Sequence, residues 1–332
     1  MTIRVMHFGL GPIGTAVARQ VAARRGFKVV GAVDIDPEKV GRDIGIVAGL
    51  KRRLGAKVSL NALTALRRSK PDVVVLCTSS SLRVVTAQIE TILRARVPIV
   101  STTEELSYPV PSNARWARKI DRLAKQAKAA VLGTGVNPGF TMDALPITLT
   151  GVCERVDRVE VDRIQDASTR RLPFQKKIGS GLTRAQFRNR VKEGTVRHVG
   201  FAESVSMIAD ALGWKLDRIT DRIKPKIATE RVASRFLTVA AGEVCGLVQD
   251  GVGYRAGKAV IKLHMEAYLG APESYDAVRI TGSPRLAMKL AGGVHGDIAT
   301  ASIVVNSIPK VLAAPAGLQT MLDLPIPSYV SS

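Results

Sequence analysis

Six residues near the start of the chain, Gly9-Leu10-Gly11-Pro12-Ile13-Gly14, constrain its fold more than any other stretch. An apolar run from Ile3 to Phe8 leads into them, and a helical pattern through Arg24 comes after. Gly9 permits a tight turn, Gly11 lets backbone approach a pyrophosphate with no Cβ in the way, and Gly14 lets the helix pack close to the strand. Pro12 and Ile13 open that helix, whose free N–H groups are expected to face the phosphates.

A glycine turn alone is a weak sign, and its neighbours in sequence decide the matter. Phe27 to Val33 reads as a second buried strand and ends at Asp34, twenty residues past Gly14. A dinucleotide fold places there the acid that accepts hydrogen bonds from the adenosine ribose. Asp36 is the alternative acid, and Pro37 suits the start of the next helix. Asp34 would repel a ribose 2′-phosphate, which tilts the cofactor from NADP toward NAD. Lys39, Arg42 and Lys51 to Arg53 are near enough in sequence for a looped-in cation to accept NADP, or are solvated surface charge.

A length of 332 residues makes two domains the expectation, and 46% apolar residues can fill both cores. There is no apolar run of about eighteen residues, and Arg4, His7 and the glycines interrupt any leader-like stretch, so a soluble cytoplasmic protein without a membrane partner is expected. Cys77, Cys153 and Cys245 are widely spaced and sit in apolar contexts, which reads as reduced core thiols. The net charge of +21 raises nucleic acid as a partner. Its distribution argues against one: cations are scattered in twos, as at Arg24-Arg25 and Arg170-Arg171, and aromatics are only 4%. A surface that attracts anionic cofactors, or a compositional habit of the source, accounts for the charge.

Beyond the second strand the pattern alternates. A helix is expected around Asn61 to Arg68, and Val73 to Cys77 is a continuous apolar run of the kind central parallel strands show. Thr78, Ser79 and Ser80 come next, at that strand's carboxyl end, where they line a cofactor cleft or cap the helix from Leu82 to Arg94. Pro98 to Val100 is a strand, Pro111 to Lys128 a basic helix, and Ala129 to Leu132 a sixth strand. The succession gives an α/β class, a Rossmann doubly wound parallel sheet.

Gly133 to Phe140 breaks this rhythm, and the junction is placed there: residues 1–137 bind dinucleotide, residues 138–295 bind substrate and dimerise, and 296–332 return to the first domain. Arg155 to Ile164 alternates, with Val156, Val159, Val161 and Ile164 on its covered face. Ala202 to Leu212 reads as helix, and Phe236 to Val248, Ala259 to Tyr268 and Asp276 to Thr281 as strands. The second domain is therefore α+β with a largely antiparallel sheet, whose second face calls for a helix layer or a twin subunit, and a homodimer is expected. Gly296 to Leu312 is helical, and Pro315 to Pro327 trails off in proline and glycine.

Few residues can carry chemistry. Glu104 and Glu105 lie just past a strand at the cofactor edge, where a carboxylate suits proton transfer or stabilisation of a cationic imine; alternatively they complement a helix N-terminus. Tyr108 on the same loop orients substrate or packs. Asn137 is a candidate to hold the nicotinamide carboxamide or a substrate polar group, or stabilises its turn, and Phe140 closes that loop. Basic residues from Asp166 to Gly179, Arg170 among them, can take a substrate carboxylate. Of four histidines, His7 lies inside the first strand, His198 and His264 lack metal-spaced partners, and His295 between glycines is the candidate near a ligand. No metal site is expected.

Together the stretches Gly9 to Gly14, Ser101 to Pro109, Gly135 to Pro146, Arg170 to Gly179 and Gly293 to Pro327 carry a resemblance. The chain resembles the 2,4-diaminopentanoate dehydrogenase and native amine dehydrogenase group, whose first domain is similar to that of dihydrodipicolinate reductases. The resemblance implies NAD(P)-dependent oxidative deamination of a small amine to a ketone and ammonia, reversible as reductive amination. It implies a catalytic glutamate, carried to Glu104 with Glu105 second. The His-rich, lysine-containing motif and Ser-Gly-Thr turn of dihydrodipicolinate reductases are missing, which leaves that activity as an alternative. A non-catalytic NAD(P)-binding protein is the other.

Overall fold

The computed structural model describes residues 2–330. The chain divides into two compact units, one holding the residues up to Phe140 and from His295 onward, the other Thr141–Val294. In chain order the first unit contains β1 (Ile3–Phe8), α1 (Pro12–Ala23), β2 (Phe27–Val33), α2 (Ile44–Val47), β3 (Val58–Ser59), α3 (Ala62–Ser69), β4 (Val73–Leu76), α4 (Leu82–Arg94), β5 (Ile99–Ser101), α5 (Glu104–Ser107), α6 (Ala114–Ala127) and β6 (Ala130–Gly133). The second contains α7 (Ala144–Thr150), β7 (Arg155–Asp166), α8 (Leu172–Lys177), α9 (Arg184–Lys192), α10 (Phe201–Ala211), β8 (Arg218–Ile227), β9 (Val232–Ala233), β10 (Thr238–Val239), β11 (Val244–Arg255), β12 (Lys258–Tyr268), β13 (Tyr275–Ser283) and β14 (Leu286–Ala291). The chain then returns to the first unit as α11 (Gly296–Leu312) and β15 (Gly317–Gln319).

The first unit is a seven-stranded parallel sheet in the order β15-β6-β5-β4-β1-β2-β3. Val73 to Leu76 are wholly buried, as a strand with helices on both faces must be. α1 turns Gly14, Val17, Ala18 and Val21 inward at three- and four-residue spacing, and each valine buried this way is worth roughly 1.5–3 kcal/mol. α3 begins at Asn61, whose side-chain oxygen accepts the Thr64 amide at 2.9 Å. Chain order reverses between β1 and β4, and the loops after those two strands meet at this switch point. α11 packs on α1, where Gln20 Nε2 donates to Ser302 Oγ at 3.0 Å.

The second unit is a six-stranded sheet in the order β14-β13-β7-β12-β11-β8, antiparallel except for the β7–β12 pair. One face holds the core. Gly251 and Gly253 leave room there for Phe201 and Val205 of α10, which a Cβ at either glycine would strike at 2.7 and 2.9 Å. The other face is polar: Lys226 pairs with Glu266 and Arg279 with Asp162, and His264 Nδ1 lies at hydrogen-bond distance, 2.8 Å, from Asp250. The expected fold class is found in both units. Among the described residues no helix is long and apolar enough to cross a membrane.

Four local expectations fail. Pro37 does not open a helix, because Asp36 Oδ1 takes the Glu38 amide and Asp36 O takes the Lys39 amide, closing a turn that runs to Gly41. The helix waits until Ile44, capped by Asp43. The span 236–248 is not one strand: Ala240 to Glu243 turn through Gly242 at φ +88°, and β11 starts at Val244. Ile164 is not on the covered face with Val159 and Val161; a two-residue period puts Arg163 there instead. Pro315 to Pro327 is not all coil, since β15 adds a parallel strand beside β6.

Candidate functional site

The glycine turn is built as a dinucleotide cradle. Gly9 sits at φ +85°, and a Cβ there would lie 2.6 Å from the Cys77 carbonyl oxygen, so the turn after β1 lies against the end of β4. A Cβ on Gly14 would collide with the Gly9 carbonyl. At Gly11 the same atom would meet nothing within 4 Å: the backbone face is open, and Gly11 is also the N-cap of α1. Pro12 and Ile13 form the first turn of that helix. These residues fit a pyrophosphate laid along the N-terminus of α1.

Asp34 ends β2 and ties into the turn. One carboxylate oxygen accepts the Leu10 amide at 2.6 Å and the other accepts the Asp36 amide at 2.9 Å. The Lys39 ammonium lies 3.7 Å from Asp34 and 3.0 Å from Asp36. Its hydrogen bond, with that of the Glu38 amide, holds the Asp36 carboxyl below the usual carboxylate range.

The loop after β4 is laced to α5. Thr78 Oγ1 donates to Gln88, Ser79 Oγ accepts the Ser81 amide, Ser79 O accepts from Thr103 Oγ1, and Ser80 O accepts the Glu105 amide. No hydroxyl caps α4. Glu105 does so from the first turn of α5: its Oε2 accepts the Leu82 amide at 2.8 Å. Glu104, the first residue of α5, is half-buried and lies within electrostatic reach of Cys77. Burial pushes the Cys77 thiol up to about 12, and the charge of Glu104 adds to the shift, so this cysteine is a protonated packing residue. α5 itself rests on Gly133, where a Cβ would lie 2.5 Å from the Leu106 backbone. Tyr108 ends α5 half-buried, Asn137 is buried and Phe140 half-buried. His295 is the exposed N-cap of α11.

The second unit holds its own buried polar group. Arg163 is 3% exposed and pairs at 2.5 Å with Asp276, itself 2% exposed. Arg163 Nη2 and Gln165 Nε2 both donate to the Val294 carbonyl, and Asp276 accepts the Val294 amide. Arg170 is buried, donates to Gln165 Oε1 at 3.0 Å and stacks 4.2 Å over the Phe174 ring. The His198 backbone is clasped by Gln249, and burial lowers its imidazole to about 3, helped by the charges of Lys177 and Arg163.

A family model described as the 2,4-diaminopentanoate dehydrogenase C-terminal domain matches residues 140–332. The chain belongs to the 2,4-diaminopentanoate dehydrogenase family. A 2,4-diaminopentanoate dehydrogenase of Acetoanaerobium sticklandii is 35% identical over 335 residues, covering 99% of this chain and 95% of that protein. An amine dehydrogenase of Streptomyces virginiae is 24% identical over 98% of this chain and 96% of its own length. The solved amine dehydrogenase of Mycobacterium smegmatis superposes at a TM-score of 0.88, with 26% identity over 99% of this chain and 98% of that one. The first domain of this diaminopentanoate dehydrogenase family member matches the model for the dihydrodipicolinate reductase N-terminus over residues 3–134.

Three features escaped the sequence. Glu105 as a cap depends on a contact 23 residues away, which no local pattern announces. The inward position of Arg163 was available from strict alternation along β7. The buried place of Gln249, on an otherwise apolar strand face, had the same signal.

Proposed function

We propose that this chain catalyses the NAD(P)-dependent oxidative deamination of a small amine to a ketone and ammonia, and the reverse reductive amination. The relatives' activities and the nucleotide cradle support this reading, and the commitment of Glu105 to the Leu82 amide carries its residue assignment, because it leaves Glu104 as the acid free to serve the reaction. Gly9, Gly11, Pro12, Ile13 and Gly14 hold the pyrophosphate, Asp34 the adenosine ribose, and Thr78 to Ser80 with Asn137 the nicotinamide end. The bound cofactor accepts or supplies hydride at the substrate carbon.

Glu104 does the proton work. In deamination its carboxylate takes the proton from the substrate ammonium and passes it to solvent; the regenerated carboxylate then stabilises the positive charge of the iminium left on the substrate when hydride departs. It next removes a proton from the water that adds to the iminium carbon and returns it to the departing ammonia. Half-burial strengthens its interaction with that cation relative to water. Tyr108 and Phe140 shape the substrate's surroundings, His295 contributes a polar contact, and Arg170 serves as counter-ion for a substrate carboxylate. NAD is the favoured cofactor because Asp34 opposes a 2′-phosphate. A homodimer in the reducing cytoplasm, through the polar face of the second-unit sheet, completes the reading; the three free cysteines suit that compartment.

The test is oxidation of NADH and NADPH in concentrated ammonium buffer across small ketones, aldehydes and 2-amino-4-oxopentanoate. Ammonia-dependent oxidation is the expected result. Oxidation that proceeds equally without ammonium, or none with any carbonyl despite cofactor binding, overturns the proposal.

A further inference from the structure

We propose that Lys39 is the residue that decides between the two nicotinamide cofactors, by serving as the counter-ion for a ribose 2′-phosphate. This role rests on the dinucleotide reading of the proposed function and adds a selectivity residue to it.

Asp34 alone reads as a barrier to NADP, but its carboxylate is not a bare charge. Both oxygens are taken by backbone amides, from Leu10 at 2.6 Å and from Asp36 at 2.9 Å, so the group braces the glycine turn against the exit of β2. Lys39 stands 3.7 Å away and offsets its charge. The ammonium makes its shorter contact, 3.0 Å, with Asp36, whose side chain is 37% exposed. An ion pair that open to water contributes little, so Lys39 exchanges Asp36 for a stronger partner at small cost while Asp36 turns to solvent. A phosphate dianion is such a partner.

A second observation points to a ligand here. Ile35, between the two acids, is 85% exposed on an otherwise well-covered strand end. An aliphatic side chain held in water beside a ribose-binding acid offers an apolar surface for a flat base. Of the other cations close in sequence, Arg42 donates to the Glu38 carbonyl and Arg52 to the Ala22 carbonyl. Lys39 is the basic group directed at Asp34. With NAD it remains on Asp36, and Asp34 receives the ribose hydroxyls; with NADP it moves onto the phosphate.

The experiment is calorimetric titration of the full chain with ADP-ribose and with 2′-phospho-ADP-ribose, probes that require no turnover. The wild-type protein is expected to bind both. Lys39→Ala should weaken the 2′-phosphorylated probe about tenfold relative to ADP-ribose, the loss of one charge-assisted contact. Lys39→Arg should restore the wild-type ratio. An equal loss for both probes, or an unchanged ratio, overturns the role of Lys39 while leaving the dinucleotide site standing. Failure of the wild-type protein to bind either probe overturns both readings.

Discussion

Glu105 Oε2 accepts the amide of Leu82 at 2.8 Å, so of two adjacent acids the second closes the N-terminus of α4. The pair thereby divides into a structural and a chemical carboxylate, and the two should respond differently to the same substitution. Glu104→Gln removes the proton carrier and should lower kcat by roughly 10²–10⁴ with cofactor affinity kept. Glu105→Gln retains an oxygen for the Leu82 amide and should keep most activity, while Glu105→Ala should cost about 1 kcal/mol of stability. Steady-state kinetics with thermal melts separates the cases; full activity in Glu104→Gln would falsify its role.

Gly133 sets the position of α5. A Cβ there would stand 2.5 Å from the Leu106 backbone, so Gly133→Ala must push the turn that begins with Glu104. A displacement near 1 Å is expected to cost roughly a hundredfold in kcat, with nucleotide binding little changed. Nucleotide affinity falling in step with kcat would show that the whole first sheet had been disturbed instead.

The buried Arg163–Asp276 pair should be unforgiving to one-sided change. Arg163→Met leaves Asp276 charged at 2% exposure, and about 3–5 kcal/mol of stability should go with it. The double variant Arg163→Met with Asp276→Leu should recover part of that loss. Chemical denaturation of the four proteins of this cycle measures the coupling.

His7 predicts an acid-side loss of stability. Burial lowers its imidazole from 6.5 to about 4, and neither ring nitrogen has a hydrogen-bond partner among the described residues. Between those values the unfolded chain binds a proton that the folded chain refuses, so stability falls as pH drops from about 6.5 toward 4. The contribution is on the order of 3 kcal/mol. His7→Leu removes a buried unsatisfied ring and should reduce that slope, leaving the share due to buried His198, without weakening the protein at neutral pH. An unchanged slope in urea titrations across this range would assign the effect to other groups.

The sequence exposed the elements whose signal is local. β2, α4 and α11 fall at their expected bounds, because Phe27 to Val33 is a continuous apolar run and the two helices carry regular periods. β8 was hidden by Pro225, which is tolerated only because β8 is the sheet's edge. β15 was hidden among prolines, since three residues are too few for a period. At the candidate site, Gly9, Gly11, Gly14 and Asp34 were legible through spacing along one strand-turn-helix unit. The division of labour between Glu104 and Glu105 was not, because it is set by where the loop after β5 meets the start of α4.

The strand β15 lies beside β6, although 187 positions separate Leu132 from its partner Gln319 along the chain. During synthesis the ribosome therefore delivers the whole second unit before the last strand and helix of the first. Until α11 and β15 emerge, β6 presents a bare edge and α1 an uncovered face. The second unit, contiguous from Thr141 to Val294, has no such dependence and can condense first. The nucleotide-binding half becomes whole only when α11 and β15 have emerged.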